Sequence, residues 1–232
     1  MLQAIVFDFD GVLADTEPLH LRAARTVLHA VGIELTERDY YDRYLGFDDA
    51  GMFGAIAADQ GLRLDRPTLA ALVAGKSRVW ESMLTGDALL CPGAAECVRR
   101  CAAQVPLAIA SGALRKEIDL ILERAGLREC FSAIVSASDG LPGKPAPDFY
   151  RHALARLQEA AAARDHRPPA VIEPRYAVAI EDSRWGIESA RAAGLRSVAV
   201  THTYPPGELA GADLIVASLD EVTVPRLQQL CA

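Results

Sequence analysis

An apolar run that ends in two aspartates constrains this chain of 232 residues more than any other stretch. The run covers residues 4–7 and predicts a short buried strand, and Asp8, Asp10 and Gly11 follow it directly. In open α/β sheets, ligands bind at the carboxyl ends of the strands, where these two carboxylates would emerge. Two carboxylates there are costly to desolvate unless a cation joins them, and Mg²⁺ is the obvious candidate.

From about residue 91 onward, short apolar strands alternate with helical stretches. The predicted strands cover residues 105–110, 133–136, 177–180, 197–200 and 214–216, and the predicted helices cover about 94–103, 114–125, 148–163, 185–193 and the last turns of the chain. This alternation is typical of a parallel, doubly wound α/β sheet with a Rossmann-like arrangement and helices on both faces.

Residues 15–86 show no strand pattern and predict a helical insertion directly after the first strand. The sequence predicts helices over 19–31, from a Thr36 cap to Tyr44, from an Asp48 cap to about residue 60, and over 65–84. We therefore predict two domains, an α/β core formed by residues 1–14 and 87–232 and a helical domain formed by residues 15–86.

Composition narrows the possible partners and location. The formal charge is 24 − 31 = −7, which argues against nonspecific binding to nucleic acid or to anionic membranes. No apolar run is as long as a membrane span, and the first residues lack the basic start of a signal peptide. The five cysteines form no metal-binding pattern, so we expect reduced thiols in a cytoplasmic protein.

Polar side chains follow three of the predicted strands, and a fourth polar position is a lysine in a proline-flanked loop. These residues are Asp8, Asp10, Ser111, Gly112, Lys144, Glu181 and Asp182. Parallel strands end at one edge of the sheet, so these distant residues should meet there. Carboxylates that bind Mg²⁺, together with a hydroxyl and an ammonium that bind phosphate oxygens, suit phosphoryl transfer. One of the carboxylates can itself act as the nucleophile.

The order and spacing of these motifs resemble the haloacid dehalogenase superfamily of phosphohydrolases. The likeness rests on Asp-x-Asp-Gly-x-x-x-Asp-Thr-Glu at 8–17, Ser111, Gly-Lys-Pro at 143–145 and Glu-Asp-Ser at 181–183. The position of the helical insertion is similar to that in the C1-capped branch, which includes phosphoglycolate phosphatase-like and β-phosphoglucomutase-like enzymes. The resemblance implies that residues 15–86 form a cap that closes over the site.

The resemblance also implies a role for each motif. Asp8 would be the nucleophile and a metal ligand. Asp10 would protonate the leaving oxygen and then deprotonate water, while its backbone carbonyl binds the metal. Ser111, with Gly112 beside it, and Lys144 would bind the phosphoryl oxygens.

Two further acidic residues would complete the Mg²⁺ site under the same resemblance. Asp182 would bind the ion directly. Glu181 would help it, and the sequence leaves open whether it acts as a ligand, through water or as a helix cap.

The implied reaction is hydrolysis of a small phosphorylated metabolite, such as phosphoglycolate or a sugar phosphate. The alternative is an intramolecular phosphomutase of the β-phosphoglucomutase type, whose cap must grip a second phosphate. Acidic Asp48 and Asp49 on the predicted cap loop argue against the mutase, whereas Arg43 keeps it open. The candidate specificity residues are His20, Gly46 and Arg115. The sequence does not indicate an oligomeric state.

Overall fold

The computed structural model describes residues 1–44, 47–83, 89–165 and 171–232. The chain divides into two compact units, one formed by Met1–Asp15 with Asp87–Ala232 and the other by Thr16–Gly86. We call them the core unit and the helical unit, and we describe each by itself.

The core unit is built on a six-stranded sheet in which every neighbouring pair of strands is parallel. The strands are β1 (Ala4–Phe7), β2 (Leu107–Ala110), β3 (Phe131–Val135), β4 (Ala177–Glu181), β5 (Arg196–Val200) and β6 (Leu214–Val216). Their order across the sheet is β3-β2-β1-β4-β5-β6, so β1 lies between β2 and β4. The predicted fold class is therefore confirmed, and the strand that carries the aspartate pair lies at the centre of the sheet.

The helices alternate with the strands in the core unit and make up most of the helical unit. They are α1 (Glu17–His29), α2 (Glu37–Asp39), α3 (Asp49–Asp59), α4 (Arg66–Met83), α5 (Ala94–Ala102), α6 (Arg115–Arg124), α7 (Asp148–Asp165), α8 (Arg184–Ala192) and α9 (Val224–Leu230). Among the described residues, no helix combines the length and the apolar character that a membrane span needs.

Small side chains let two helices pack closely on one face of the sheet. Alanines from several strands face α7 and α8, and the larger side chains of α7 fill the space between the layers. The strand residues of this cluster are Ala4, Val6, Ala108, Ala110, Ala133, Val135, Ala177 and Ala179, and α7 contributes Phe149, Tyr150, Leu154 and Leu157. Close packing of this kind holds the carboxyl ends of the strands at a fixed spacing.

The helical unit has its own apolar core, in which α4 packs on α1 and α3. The two predicted helix caps are confirmed, because Thr36 accepts a hydrogen bond from the Asp39 backbone and Asp48 accepts one from the Gly51 backbone. The predicted helix that follows Thr36 is different in detail, since α2 is one turn long and continues as a π-helix over Tyr40–Tyr44.

Candidate active site

The central strand and its neighbours carry three polar segments to one edge of the sheet. The Asp8 backbone N–H donates to the Ile180 carbonyl at 2.9 Å, one residue beyond the end of β1. In the same way, the Ser111 backbone N–H donates to the Val135 carbonyl at 3.0 Å, just beyond β2. The sheet pairing therefore fixes the backbone from which the Asp8 and Ser111 side chains project.

A tight turn follows Asp8 and positions Asp10. The Gly11 N–H donates to the Ala14 carbonyl at 2.8 Å, and the Ala14 N–H donates to the Phe9 carbonyl at 2.9 Å. Gly11 has a φ of +74°, a conformation that residues with a side chain rarely adopt. Asp10 is partly buried within this turn. The glycine that follows the aspartate pair in the sequence is thus needed for the positive φ of this turn.

Lys144 connects the ends of β1 and β4. Its ammonium nitrogen lies 2.9 Å from Asp8 Oδ1 and 2.6 Å from Glu181 Oε1, and only 13% of its side chain is exposed. The two carboxylates raise the pKa of Lys144, although burial opposes them, so the side chain is a cation. A buried lysine that is shared between two carboxylates holds both of them in place.

Glu181 is fully buried and hydrogen-bonded through both carboxylate oxygens. Oε1 accepts from the Tyr150 hydroxyl at 2.5 Å as well as from Lys144, and Oε2 accepts from the Asp182 N–H and the Ser183 hydroxyl at 3.3 Å. These contacts favour the indirect roles that the sequence left open for Glu181.

Gly186 makes room for the Glu181 carboxylate. A methyl group on Gly186, in the first turn of α8, would lie 1.9 Å from Glu181 Cδ and Oε1. The carboxylate has little freedom to move away, because its oxygens are held by the four contacts just described. A larger residue at 186 would therefore displace Glu181 and, with it, Lys144.

Three carboxylates crowd together beside the single ammonium of Lys144. Oxygen atoms of Asp8, Glu181 and Asp182 all lie within 4.8 Å of one another. Burial raises the pKa of Asp8, and Glu181 and Asp182 raise it further, while Lys144 lowers it. Burial and Glu181 likewise raise the pKa of Asp182 to about 7. Carboxylate oxygens are ligands that Mg²⁺ prefers. Because three carboxylates lie beside one ammonium, a further cation would stabilise their ionised forms.

Ser111 and Gly112 lie at the end of the strand beside β1. The Ser111 hydroxyl is buried and accepts a hydrogen bond from the Ala113 N–H at 3.0 Å, and Gly112 is exposed. Ser111 is not the cap of the next helix, since α6 has Leu114 at that position. The Ser111 hydroxyl therefore retains its proton for donation to another group.

The three candidate specificity residues have different surroundings. His20 lies in the helical unit, and Gly46 lies outside the described residues. Arg115 begins α6 and forms an ion pair with Asp119 at 2.7 Å, one turn further along. Selection of substrate by any of these residues stays a prediction.

His20 belongs to a polar cluster inside the helical unit. Its ring stacks on that of Trp80, with the centroids 5.3 Å apart. Lys76 is buried and forms an ion pair with Asp49. Burial and the Lys76 ammonium lower the pKa of His20 to about 3, so the ring is neutral in the folded protein.

We expect His20 to make the protein less stable in mild acid. The unfolded chain takes up a proton near pH 6.5, whereas the folded chain takes it up only near pH 3, so the stability contributed by neutral His20 is lost as the pH falls through that window. The free energy of unfolding should fall by about 2 kcal/mol between pH 7 and pH 5 from this group. Denaturant titrations at both pH values measure this fall in the wild type. The same titrations of His20→Phe, which keeps an aromatic ring but cannot titrate, provide the comparison. A difference between the two proteins that does not change with pH would contradict the assignment.

Comparison with known proteins assigns the class to which this fold and site belong. The profile of the haloacid dehalogenase-like hydrolase family matches residues 2–194. The chain therefore belongs to the haloacid dehalogenase-like hydrolases, and the predictions of that superfamily and of an enzyme are confirmed.

Two curated relatives and one crystal structure illustrate the likeness. The chain is 32% identical over 232 residues to the Arabidopsis thaliana protein SUPPRESSOR OF QUENCHING 1, chloroplastic. The match covers 96% of this chain but only 20% of that longer protein. It is 28% identical to the phosphorylated carbohydrates phosphatase of Thermotoga maritima, and the match covers 89% of each chain. The crystal structure of Rhodobacter sphaeroides CbbY with xylulose-(1,5)-bisphosphate superposes with a TM-score of 0.81 at 28% identity and covers 98% of this chain and 99% of that one.

Proposed function

We propose that this chain is a Mg²⁺-dependent phosphatase that hydrolyses a small phosphomonoester through a phosphorylated aspartate, Asp8. The observation that supports it best is the position of the Asp8 carboxylate, which lies 2.9 Å from the Lys144 ammonium within the buried acidic trio. The names of the relatives favour a phosphorylated carbohydrate as the substrate.

The first half of the proposed reaction transfers the phosphoryl group to the enzyme. An Asp8 oxygen attacks phosphorus, and the bond between phosphorus and the ester oxygen breaks. Asp10 gives its proton to the departing oxygen, so the product leaves as a neutral alcohol. The Ser111 hydroxyl and the Lys144 ammonium bind the phosphoryl oxygens, with Gly112 beside them.

The second half releases phosphate with the same residues. Asp10, now ionised, takes a proton from water as that water attacks phosphorus. The bond between Asp8 and phosphorus breaks, and inorganic phosphate leaves. Both carboxylates return to their starting protonation states, so atoms and charge balance over the cycle.

A divalent metal fits the residues of this site. Asp8 and Asp182 would hold Mg²⁺ through carboxylate oxygens and Asp10 through its backbone carbonyl, while Glu181 would support them by holding Lys144. When bound, the ion neutralises charge on the phosphoryl oxygens. The support for this proposal is the crowding of three buried carboxylates around one ammonium.

Removal of metal is expected to reduce phosphate release by about 10²-fold or more, because several kcal/mol of charge stabilisation disappear from the transition state. The measurement is phosphate release from a panel of sugar phosphates and phosphoglycolate, before and after EDTA treatment. Addition of excess Mg²⁺ provides the control, since it should restore the rate. Full activity in EDTA would contradict the metal requirement.

Two cations of the helical unit bear on the mutase alternative. Arg43 forms ion pairs with Asp59 and, at 3.8 Å, with Asp39. Lys76 pairs with Asp49. Because each cation already has a carboxylate partner, part of its charge is neutralised before a distal phosphate binds, which supports hydrolysis. Faster conversion of a hexose 1-phosphate to its 6-phosphate than to free sugar would instead establish the mutase.

We propose that the helical unit acts as the cap that selects the organic part of the substrate, with His20 as a candidate contact. We also propose a cytoplasmic setting, which the five free cysteines support.

A further inference from the structure

The turn that follows β5 approaches the acidic trio from a side that the sequence motifs do not cover. Thr201 continues the pairing of β5 with β6, since its N–H donates to the Val216 carbonyl at 3.1 Å. The chain then turns through His202, Thr203 and Tyr204. Each of these three side chains contacts a segment that carries the acidic residues.

Thr203 contacts Asp182 directly. Its hydroxyl lies beside the Asp182 carboxylate on the same side of Gly11, and this proximity favours the ionised form of that carboxylate. The two groups also meet against Gly11, where a methyl group would lie 2.0 Å from Asp182 Oδ2 and 2.6 Å from Thr203 Oγ1. The absence of a side chain at Gly11 therefore leaves the space in which the two side chains meet.

The residues on either side of Thr203 fix the turn at both ends. His202 Nδ1 lies 3.1 Å from the Gly11 carbonyl oxygen, and because a carbonyl only accepts, this nitrogen carries the proton. The Tyr204 ring meets the Trp185 ring edge to face, with the centroids 6.2 Å apart. One contact ties the turn to the loop after β1, and the other ties it to the first turn of α8.

Asp182 needs such a partner more than an exposed carboxylate would. It is 5% exposed, and carboxylate oxygens of Asp8 and Glu181 lie within 4.8 Å of its own. Glu181 directs its own oxygens to other donors. Donors beside a metal-ligating carboxylate orient it, and their loss typically lowers metal affinity by about 10–100-fold.

We propose that Thr203 is a positioning residue, whose hydroxyl holds the Asp182 carboxylate in the orientation that binds the divalent metal. The inference rests on the proposed function, because it takes Asp182 to be a metal ligand. His202 and Tyr204 act through Thr203, since they hold the turn that carries it.

The test compares three single variants in the full-length chain. Thr203→Val replaces the hydroxyl by a methyl group of similar shape, and Thr203→Ser keeps the hydroxyl. Thr201→Val is the matched control, because it makes the same change two residues earlier in the same turn. Thr203 is exposed, so its variants should fold, which circular dichroism verifies.

The main measurement is direct metal binding, with Mn²⁺ as the probe and the electron paramagnetic resonance signal of free Mn²⁺ as the readout. Thr203→Val should raise the Kd for Mn²⁺ by about tenfold or more, as expected when the outer partner of a metal ligand is lost. Thr203→Ser and Thr201→Val should bind Mn²⁺ like the wild type. In phosphatase assays, Thr203→Val should need more Mg²⁺ for half-maximal rate while its KM at saturating Mg²⁺ stays unchanged.

Two results would overturn the inference and leave the proposed function intact. One is a Thr203→Val protein that binds Mn²⁺ as tightly as the wild type. The other is a Thr203→Ser protein that binds as weakly as Thr203→Val, which would assign the effect to the methyl group and not to the hydroxyl. A wild-type protein that neither binds Mn²⁺ nor responds to Mg²⁺ would instead overturn the proposed metal site, and this inference with it.

Discussion

Replacement of Asp8 by asparagine is expected to lower kcat for phosphomonoester hydrolysis by about 10⁴-fold or more, because the covalent route disappears with the nucleophile. The folded protein should tolerate the change well. Burial and two neighbouring carboxylates already raise the pKa of Asp8, which means that the fold disfavours its negative charge. A neutral amide of the same shape removes that charge, so the free energy of unfolding should not fall. Lost activity in a stable protein is the signature of a chemical role.

Asp10→Asn is the matched variant, because it makes the same substitution two residues away. Loss of a general acid–base group costs about 10²–10⁴-fold in turnover. Asp10→Asn should still become phosphorylated on Asp8 by a substrate with a good leaving group, and the phosphorylated form should accumulate because water is no longer activated. Acid quench followed by peptide mass spectrometry detects it. Phosphorylation of Asp8→Asn, or its retention of most of the wild-type rate, would contradict the nucleophile assignment.

The sequence predicts that the site residues lie close together, because the topology of the sheet alone determines where the strands end. Short apolar runs identify the strands, and the parallel arrangement then requires Asp8, Ser111 and Asp182 to emerge at one edge. No side-chain contact had to be known for that step. Lys144 is singled out by its proline-flanked loop and the Gly-Lys-Pro motif, and its position is now defined by contacts with Asp8 and Glu181.

The supporting residues could not be found in the same way, because their roles arise from packing between distant elements. From the sequence, Tyr150 of α7 is an ordinary aromatic residue of the core. In the structure its hydroxyl donates a hydrogen bond to Glu181. From the sequence, Gly186 is a glycine that weakens its helix. In the structure the Glu181 carboxylate fills the space that a side chain at 186 would occupy. From the sequence, Thr203 is only a turn residue, and nothing indicates that it lies beside Asp182. In each case the sequence shows the residue, but only the fold shows its partner.

Charge pairs inside the helical unit illustrate a second limit. From the sequence, Asp48 and Asp49 were both expected to repel a phosphate from the cap loop. In the structure, Asp48 caps α3, and Asp49 pairs with Lys76 from the middle of α4. The local effect of Asp49 is thus to neutralise a buried cation that lies 27 residues away along the chain. Sequence spacing cannot reveal such a pair, because the packing of α3 against α4 sets the distance between the two residues.

Replacement of Lys144 by methionine is expected to cost about 3–5 kcal/mol of folding free energy at pH 8, because it leaves two buried carboxylates without their cation. The same variant should lose most of its activity, since Lys144 also binds the phosphoryl group in the proposed reaction. Denaturant titration measures the stability, with EDTA present so that a bound metal does not replace the missing charge. Lys116→Met is the control, because it removes an exposed lysine and should change stability by no more than about 0.5 kcal/mol.

The pH dependence separates loss of a charge pair from loss of packing in the Lys144→Met variant. Without the ammonium, which lowers the pKa of Asp8, the Asp8 carboxyl holds its proton more tightly, so the folded variant takes up a proton more readily than the folded wild type. The free energy difference between the two proteins should therefore shrink as the pH falls from 8 to 5, since a protonated carboxyl needs no cation. If the penalty is instead the same at both values, packing of the Lys144 methylene chain stabilises the site, and its charge does not. A variant as stable as the wild type at pH 8 would show that the acidic trio does not depend on Lys144 at all.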